Sequence, residues 1–167
     1  MNIRDLRTIK SNQKGFTLVE VLVVIGILAI LLAITLVAIN PNQHFQDSRN
    51  TQRSANVSAI LDAIYEYESS HSGNVPPSLT GVTGTPAPLK LSSPTVPGEV
   101  DLCGDLAPAD IADLPMDPST GTATGGSTPC AGSTTEYDTG YTIAKSASNR
   151  FTVSAPDAEG TTISVTR

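Results

Sequence analysis

The chain has 167 residues, of which 16 are acidic and 10 are basic, for a formal net charge of −6. The first 15 residues hold four Lys or Arg residues against one Asp, so the rest of the chain has 6 basic and 15 acidic side chains and a net charge of −9. Direct nucleic-acid binding by the folded part is therefore not expected, because such binding depends on Lys and Arg at the phosphates.

An apolar segment dominates the N-terminal third of the chain. Residues 21–39 contain no charged side chain, and roughly 20 apolar residues are enough for a helix to cross the hydrocarbon core of a bilayer. The basic residues before this segment favour a cytoplasmic N-terminus, with the chain after Asn40 outside the cytoplasm. Glu20 stands at the start of the segment, where a carboxylate is costly, and is therefore a candidate functional residue.

Two ordinary targeting segments are the alternatives. A secretory signal has an apolar region of about 7–15 residues that ends in a small-residue cleavage site, whereas here the run is longer and the small residue, Gly15, lies before it. An uncleaved signal anchor accounts for the length and the basic start, and it would hold a binding or enzymatic domain outside the cytoplasm. It does not account for Gly15-Phe16 or for Glu20.

A polar helix is predicted to follow. The sequence Asn40-Pro41-Asn42 interrupts the apolar run, and the proline, Pro41, predicts a helix kink. From about His44 to His71 a helical pattern resumes, and its charged residues, including Arg53, are expected mostly off the apolar stripe. Four apolar residues have the i, i+3, i+4, i+7 spacing of that stripe: Val57, Ile60, Leu61 and Ile64.

The C-terminal half is predicted to combine loops with a small sheet. Residues 77–98 and 121–135 are rich in Pro, Gly, Ser and Thr, which favours irregular loops, with a short helical turn around Pro108–Ala112 between them. The apolar face of the sheet should pack on the stripe of the helix, which gives an α+β fold. Three runs of alternating apolar residues predict an antiparallel meander: residues 137–144, 150–155 and 161–166.

The two cysteines, Cys103 and Cys130, both lie in the part predicted to be outside the cytoplasm. An even number of cysteines in an exported, loop-rich region favours a disulfide, and two unpaired thiols are the alternative. No CxxC pair and no nearby His accompany them, so a metal site is not expected.

The sequence Lys14-Gly-Phe-Thr-Leu-Val-Glu20, followed directly by the apolar segment, resembles the type IV prepilin signature shared by type IV pilins and type II secretion pseudopilins. A second stretch, Leu114-Pro-Met-Asp-Pro118, resembles the L-P-x-D-P loop that precedes the sheet in many pseudopilins and related pilins. The resemblance implies a type IV pilin fold, in which a long helix, hydrophobic and then amphipathic, packs on an antiparallel sheet of about three to four strands. The implied segments are a prepilin leader peptide at 1–15, a transmembrane and filament-core helix at 16–40, its amphipathic continuation at 41–72, and a loop-rich globular head at 73–167.

The resemblance also implies roles for three residues. A prepilin peptidase would cut the chain after Gly15. The new N-terminal residue, Phe16, would be N-methylated. The carboxylate of Glu20 would pair with the N-terminus of an adjoining subunit during filament assembly.

The implied product is a structural subunit and not an enzyme. It would be held in the cytoplasmic membrane as a single-pass protein, and would then polymerise with its own copies into an extracellular or periplasmic filament. An inner-membrane assembly platform and minor pilins would be its further partners. A pilus for adhesion, motility or DNA uptake is the expected function, and the major pseudopilin of a type II secretion system is the alternative.

Calcium is the one metal ion that the resemblance raises, because related secretion pseudopilins bind it near the C-terminal sheet. Calcium takes several oxygen ligands. The candidates here are Asp101 with Asp105 and Asp110 with Asp113, whereas the end of the chain offers only Asp157 and Glu159. No cofactor is therefore expected, and calcium is the alternative.

Overall fold

The computed structural model describes residues 15–92, 96–125, 128–130 and 136–167. The chain separates into two compact units, and the second of them runs from Asn42 to Arg167. Apart from Gly15, the predicted leader lies outside the described residues, as do parts of the two predicted loops.

The first helix, α1, spans Leu18–Ile39, and all of its 22 residues are exposed. Apolar side chains lie on every side of it. By length and composition this helix can cross a membrane, as the sequence predicts. It ends at Asn40, which has a left-handed backbone conformation with φ of 44°, and Asn tolerates that conformation better than most residues.

The second helix, α2, spans Pro41–Ser70 and begins at the proline. Proline suits the first position of a helix, because the N–H that it lacks would have no partner there. The helix stops where Ser72 and Gly73 take positive φ angles of 58° and 85°. The kink at Pro41 stays a prediction. The predicted stripe is confirmed by four fully buried residues: Val57, Ile60, Leu61 and Ile64.

The described residues form a sheet of five antiparallel strands. They are β1 (Ala87–Leu91), β2 (Thr122–Thr124), β3 (Glu136–Lys145), β4 (Phe151–Ala155) and β5 (Ile163–Thr166). The order is β1-β3-β4-β5. Because β1 and β2 both pair with Tyr137, β2 lies on the opposite edge of β3, the edge that β4 continues. The meander of the last three strands is confirmed, and the α+β class with it.

The loop predictions were partly wrong. Residues 77–98 contain a 3-10 helix and β1, and residues 121–135 contain β2. The strand β1 forms because Leu89 is fully buried while the residues around it pair with β3. A short helix, α3, spans Cys103–Leu106 and lies before the predicted turn at 108–112. It ends there because Ala107 takes an extended conformation, as is usual for the residue before a proline.

The core of the second unit lies between α2 and the sheet. Buried residues of β3 and β4 alternate with half-buried ones, as expected for a sheet that has one covered face. Burial of each large apolar side chain contributes about 1.5–3 kcal/mol. The buried residues of these strands are Tyr137, Thr139, Tyr141, Ile143, Phe151, Val153 and Ala155.

Candidate functional site

The N-terminal end of α1 presents the residues predicted for cleavage. Phe16 is 87% exposed, and open space surrounds the position that a Cβ atom would take at Gly15. Both residues precede the helix. The bond between them therefore lies in accessible, non-helical chain, which is the kind of segment that proteases cut most readily.

Glu20 is held by the first turn of its own helix. Thr17 is the N-cap residue, and its side-chain oxygen accepts a hydrogen bond from the Glu20 N–H at 3.2 Å. In return, one Glu20 carboxylate oxygen accepts from the Thr17 N–H and from the Thr17 hydroxyl, both at 2.9 Å. This reciprocal capping box directs the carboxylate toward the start of α1. The T-x-x-E pattern was its sequence signal, and the prediction for Glu20 did not use it.

Most of the large apolar side chains that are exposed in the described chain belong to α1. Its side chains are exposed along the whole length of the helix, from Leu18 to Ile39. A helix that is apolar on all sides requires a cover, either of lipid or of other protein. The helix is therefore built for a membrane or for an assembly, and not for water.

A second candidate site joins α2 to the loop at 114–118. The side chains of Arg53 and Asp117 are fully buried, with Arg53 Nε 2.6 Å from one carboxylate oxygen and Nη2 3.1 Å from the other. Ser119 and Thr120 donate backbone N–H bonds to the same carboxylate. Burial by itself raises the pKa of Asp117, but the hydrogen bonds from Arg53, Ser119 and Thr120 outweigh it and hold the pKa well below its ordinary value.

The burial of Arg53 corrects the prediction that it lies off the apolar stripe. Arg53 stands one turn before Val57 on the same face of α2. A charged side chain is tolerated in the core when an opposite charge and hydrogen bonds accompany it. The sequence signal was an arginine in line with the stripe together with the aspartate of the L-P-x-D-P loop, but nothing in the sequence indicated that the two meet.

The turn that contains Asp117 binds the part of the β3 edge that lies between the residues paired with β2 and those paired with β4. The Asp117 N–H donates to the Thr139 carbonyl oxygen at 2.8 Å. Gly140, with φ of 76°, permits this approach, because a Cβ atom there would lie 2.7 Å from the Asp117 Cβ. From α2, the Asn56 amide donates to the Met116 carbonyl oxygen at 3.0 Å. The loop is therefore attached both to β3 and to α2.

Cys103 and Cys130 form the predicted disulfide. Cys103 is the first residue of α3, and the Cys130 N–H donates to the Asp113 carboxylate at 2.8 Å. The bond ties α3 to the chain that follows β2.

Most of the candidate calcium ligands accept hydrogen bonds from donors of the protein itself. The exception is Asp110, whose Oδ2 is buried without a hydrogen-bond partner among the described residues. Asp101 accepts from the Tyr137 hydroxyl at 2.7 Å, and Asp105 accepts from the Ser78 hydroxyl at 2.6 Å. Burial, together with the bond to Asp101, raises the pKa of Tyr137. In the described parts of the chain, no group of three or more His, Cys, Asp or Glu residues could hold a metal ion. Other acidic candidates and their donors are Asp113 with Cys130, Asp157 with Thr120, and Glu159 with Arg49.

The fold defines the class of protein: an α+β protein in which the helix α2 packs on a small antiparallel sheet. Residues 10–36 match the family model of the prokaryotic N-terminal methylation motif, the hallmark of the prepilin-type signal of type IV pilins and pseudopilins. The resemblance predicted from residues 14–20 is thereby confirmed. No curated protein and no solved structure shows a significant match to the chain. The motif implies processing by a prepilin peptidase and, together with α1, anchoring in a membrane.

Proposed function

We propose that the chain is a structural subunit of a type IV pilus-like filament and not an enzyme. A prepilin peptidase removes the leader after Gly15, and the new N-terminal residue, Phe16, is N-methylated. The helix α1 holds the subunit in the cytoplasmic membrane with its N-terminus in the cytoplasm. An inner-membrane assembly platform and minor pilins then add it to an extracellular filament that serves adhesion, motility or DNA uptake.

The observation that carries this proposal is α1 together with the methylation motif, which covers α1 as far as residue 36. The helix is exposed and apolar on all sides for 22 residues, and the methylation motif covers residues 10–36. Lipid covers this surface before assembly, and copies of the same helix cover it in a filament surrounded by water. A simple anchor needs neither the motif nor a carboxylate at its start.

Glu20 provides the contact between subunits in this proposal. Cleavage creates an α-ammonium group at Phe16, about one helical turn from the carboxylate on the same chain. A staggered neighbour brings its own ammonium group opposite Glu20. In the low dielectric of a helix bundle, each charge lowers the cost of burying the other.

Intact-mass spectrometry of protein taken from cells tests the proposal. The expected mass is that of residues 16–167 with one additional methyl group and, because of the disulfide, two hydrogen atoms fewer. A mass that includes residues 1–15, or one that lacks α1, contradicts it. Electron microscopy of material sheared from the cell surface then separates a filament subunit from a signal-anchored domain, which would stay in the membrane as a lone subunit.

The major pseudopilin of a type II secretion system is the second candidate. It is favoured by the L-P-x-D-P loop, whose Asp117 is buried against Arg53. Deletion of the chain distinguishes the two: a pseudopilin predicts loss of protein secretion with surface filaments unchanged, and a pilus subunit predicts loss of surface filaments with secretion unchanged.

A further inference from the structure

A small polar cavity lies on the face of the sheet that points away from the core. In β3, Tyr137 and every second residue after it face the core, so Glu136 and Asp138 point to the opposite face. At these residues β1 pairs with one edge of β3 and β2 with the other. The cavity has a volume of about 210 Å³, and these residues line it: Lys90, Leu91, Ser92, Thr122, Thr124, Glu136, Tyr137 and Asp138.

The charges of this cavity disfavour an ionic occupant. The ammonium group of Lys90 is 3.1 Å from Glu99, whose side chain is only 4% exposed, and 4.0 Å from Asp138. A metal ion in the cavity would be repelled by Lys90, and an anion would be repelled by the carboxylates of Glu136 and Asp138. A neutral molecule therefore complements the site best.

The gap between Lys90 and Asp138 has the size of one hydroxyl group. Lys90 Nζ and Asp138 Oδ2 are 4.0 Å apart, which is too far for a direct hydrogen bond. A hydroxyl oxygen between them, about 2.8 Å from each, would accept from the ammonium group and donate to the carboxylate. A carbonyl or an ammonium group could form only one of these two bonds. The other carboxylate oxygen of Asp138 accepts from the Gly140 N–H at 2.9 Å, which holds the side chain in place.

The opposite wall of the cavity supplies two further hydroxyl groups. Thr122 pairs with Asp138, and Thr124 pairs with Glu136, so both threonine side chains lie on the same face of the sheet as the carboxylates. Both threonines are exposed, and within the described residues neither hydroxyl group forms a hydrogen bond. Pockets for drug-sized ligands have volumes of about 300–1,000 Å³, so this smaller cavity suits a single ring that carries hydroxyl groups on two sides.

We propose that the cavity binds one ring of a neutral saccharide. One saccharide hydroxyl group bridges Lys90 and Asp138, and others bind Thr122 and Thr124. The inference deepens the proposed function, since it supports adhesion among the uses of the filament and names the class of ligand. One such site binds weakly, but a filament repeats it in every subunit, and the copies act together on a surface that carries many saccharides.

Saturation-transfer NMR of sheared wild-type filaments tests the class of ligand. The neutral probes are the methyl glycosides of glucose, galactose, mannose and N-acetylglucosamine, and the methyl glycoside of glucuronic acid is the anionic control. At least one neutral probe should receive saturation from the filament, and the anionic probe should receive none. No signal from any of the four neutral probes, or an equal signal from the anionic one, overturns the proposal.

Variants of the two walls locate the site. Asp138→Asn keeps the size of the side chain but places an N–H where Oδ2 accepts, and it should weaken binding of the responding probe about tenfold, as expected for a lost hydrogen bond to a charged group. Thr124→Val removes one hydroxyl group and should weaken binding about threefold. The matched control is Thr142→Val, which alters a threonine on the same face of β3 outside the cavity and should leave binding unchanged. Wild-type binding by Asp138→Asn, or an equal loss in Thr142→Val, overturns the assignment of the site.

The failure of the filament and the failure of the site are distinguishable. A wild-type strain that makes no filaments overturns the proposed function but not the saccharide site. The same probes and variants are then measured on processed subunit in a zwitterionic detergent, which carries no sugar group of its own. Binding that Asp138→Asn weakens supports the site there, and absence of binding overturns it.

Discussion

Arg53 and Asp117 place two charges in the core of a small domain. Removing each charge from water costs several kcal/mol, and the cost is offset only when geometry and further hydrogen bonds are good. Here both Asp117 oxygens accept from Arg53, and the Ser119 hydroxyl accepts from Arg53 at 2.6 Å while it donates to Asp117 at 2.8 Å. These hydrogen bonds hold the 114–120 segment against α2.

Replacing Arg53 by Met should lower the free energy of unfolding by about 3–5 kcal/mol, because Asp117 would remain as a buried charge without its partner. The matched control is Arg49→Met, whose pair with Glu159 is partly exposed and should contribute only about 0–1 kcal/mol. Urea unfolding of the processed protein in detergent, followed by tyrosine fluorescence, measures both. Equal losses for the two variants would contradict a special role of the buried pair.

The same pair sets a pH dependence of stability. The pKa of Asp117 is lower in the folded protein than its ordinary value of about 3.9. Its contribution is therefore complete above that value and is lost as the pH falls toward the folded-state pKa. The variant Asp117→Asn cannot ionise, so its difference from wild type in unfolding free energy should be constant from about pH 7 to 5 and shrink below about pH 4. A difference that grows on acidification would contradict this assignment.

Replacement of Gly140, the one glycine of β3, should destabilise the folded protein. An alanine there would place its Cβ atom 2.7 Å from the Asp117 Cβ and 2.8 Å from the Thr120 hydroxyl, at a φ of 76°. The control Gly160→Ala has a similar φ of 68° but open space around its Cβ. Strain alone costs about 1–2 kcal/mol, and overpacking adds about 1–3 kcal/mol at Gly140 only. Thermal unfolding of the two variants separates these effects, and equal Tm shifts would refute the close approach.

At the scale of elements, the sequence predicts those that bury several residues with a regular period. The stripe of α2 has four apolar residues, and each of the last three strands alternates, so these elements were identified. The strand β1 buries only Leu89, and α3 is one turn long; neither produces a period. The pairing of Arg53 with Asp117 also escaped prediction, because it joins residues 64 positions apart and depends on how the loop folds onto α2.

The disulfide is the element-scale feature with the clearest thermodynamic consequence. Cys103 and Cys130 are separated by 27 positions, for which the chain-entropy model gives about 3–4 kcal/mol of stabilisation. The double variant Cys103→Ser/Cys130→Ser should lose about that amount in urea unfolding, and β2 should lose protection from hydrogen exchange first. Labelling of both thiols under denaturing, non-reducing conditions in wild-type filaments would show that the bond is absent from the exported protein.

At the scale of the whole molecule, charge and apolar surface are strictly divided along the chain. The uncharged stretch that begins at Val21 contains all of α1 after its first three residues, whereas the acidic excess lies in the second unit. The motif and the apolar segment were predictable because both are contiguous in sequence. The contacts between assembled subunits could not be predicted from the sequence, since they depend on the position of a second copy. Glu20 belongs to both: it lies in the contiguous motif, and its proposed partner is the N-terminus of a second copy.

Glu20→Ala should leave synthesis, membrane insertion and the folded head intact but impair filament growth. Loss of the carboxylate makes α1 more apolar, so a simple anchor would tolerate it, whereas an assembling subunit would bury the N-terminal ammonium of a neighbour without a partner. Glu20→Gln, which keeps the size and can still accept from Thr17, should be impaired as well if the charge is what matters. Sheared-filament yield normalised to processed subunit in the membrane measures the effect. A wild-type yield from both variants would show that Glu20 does no more than cap its own helix.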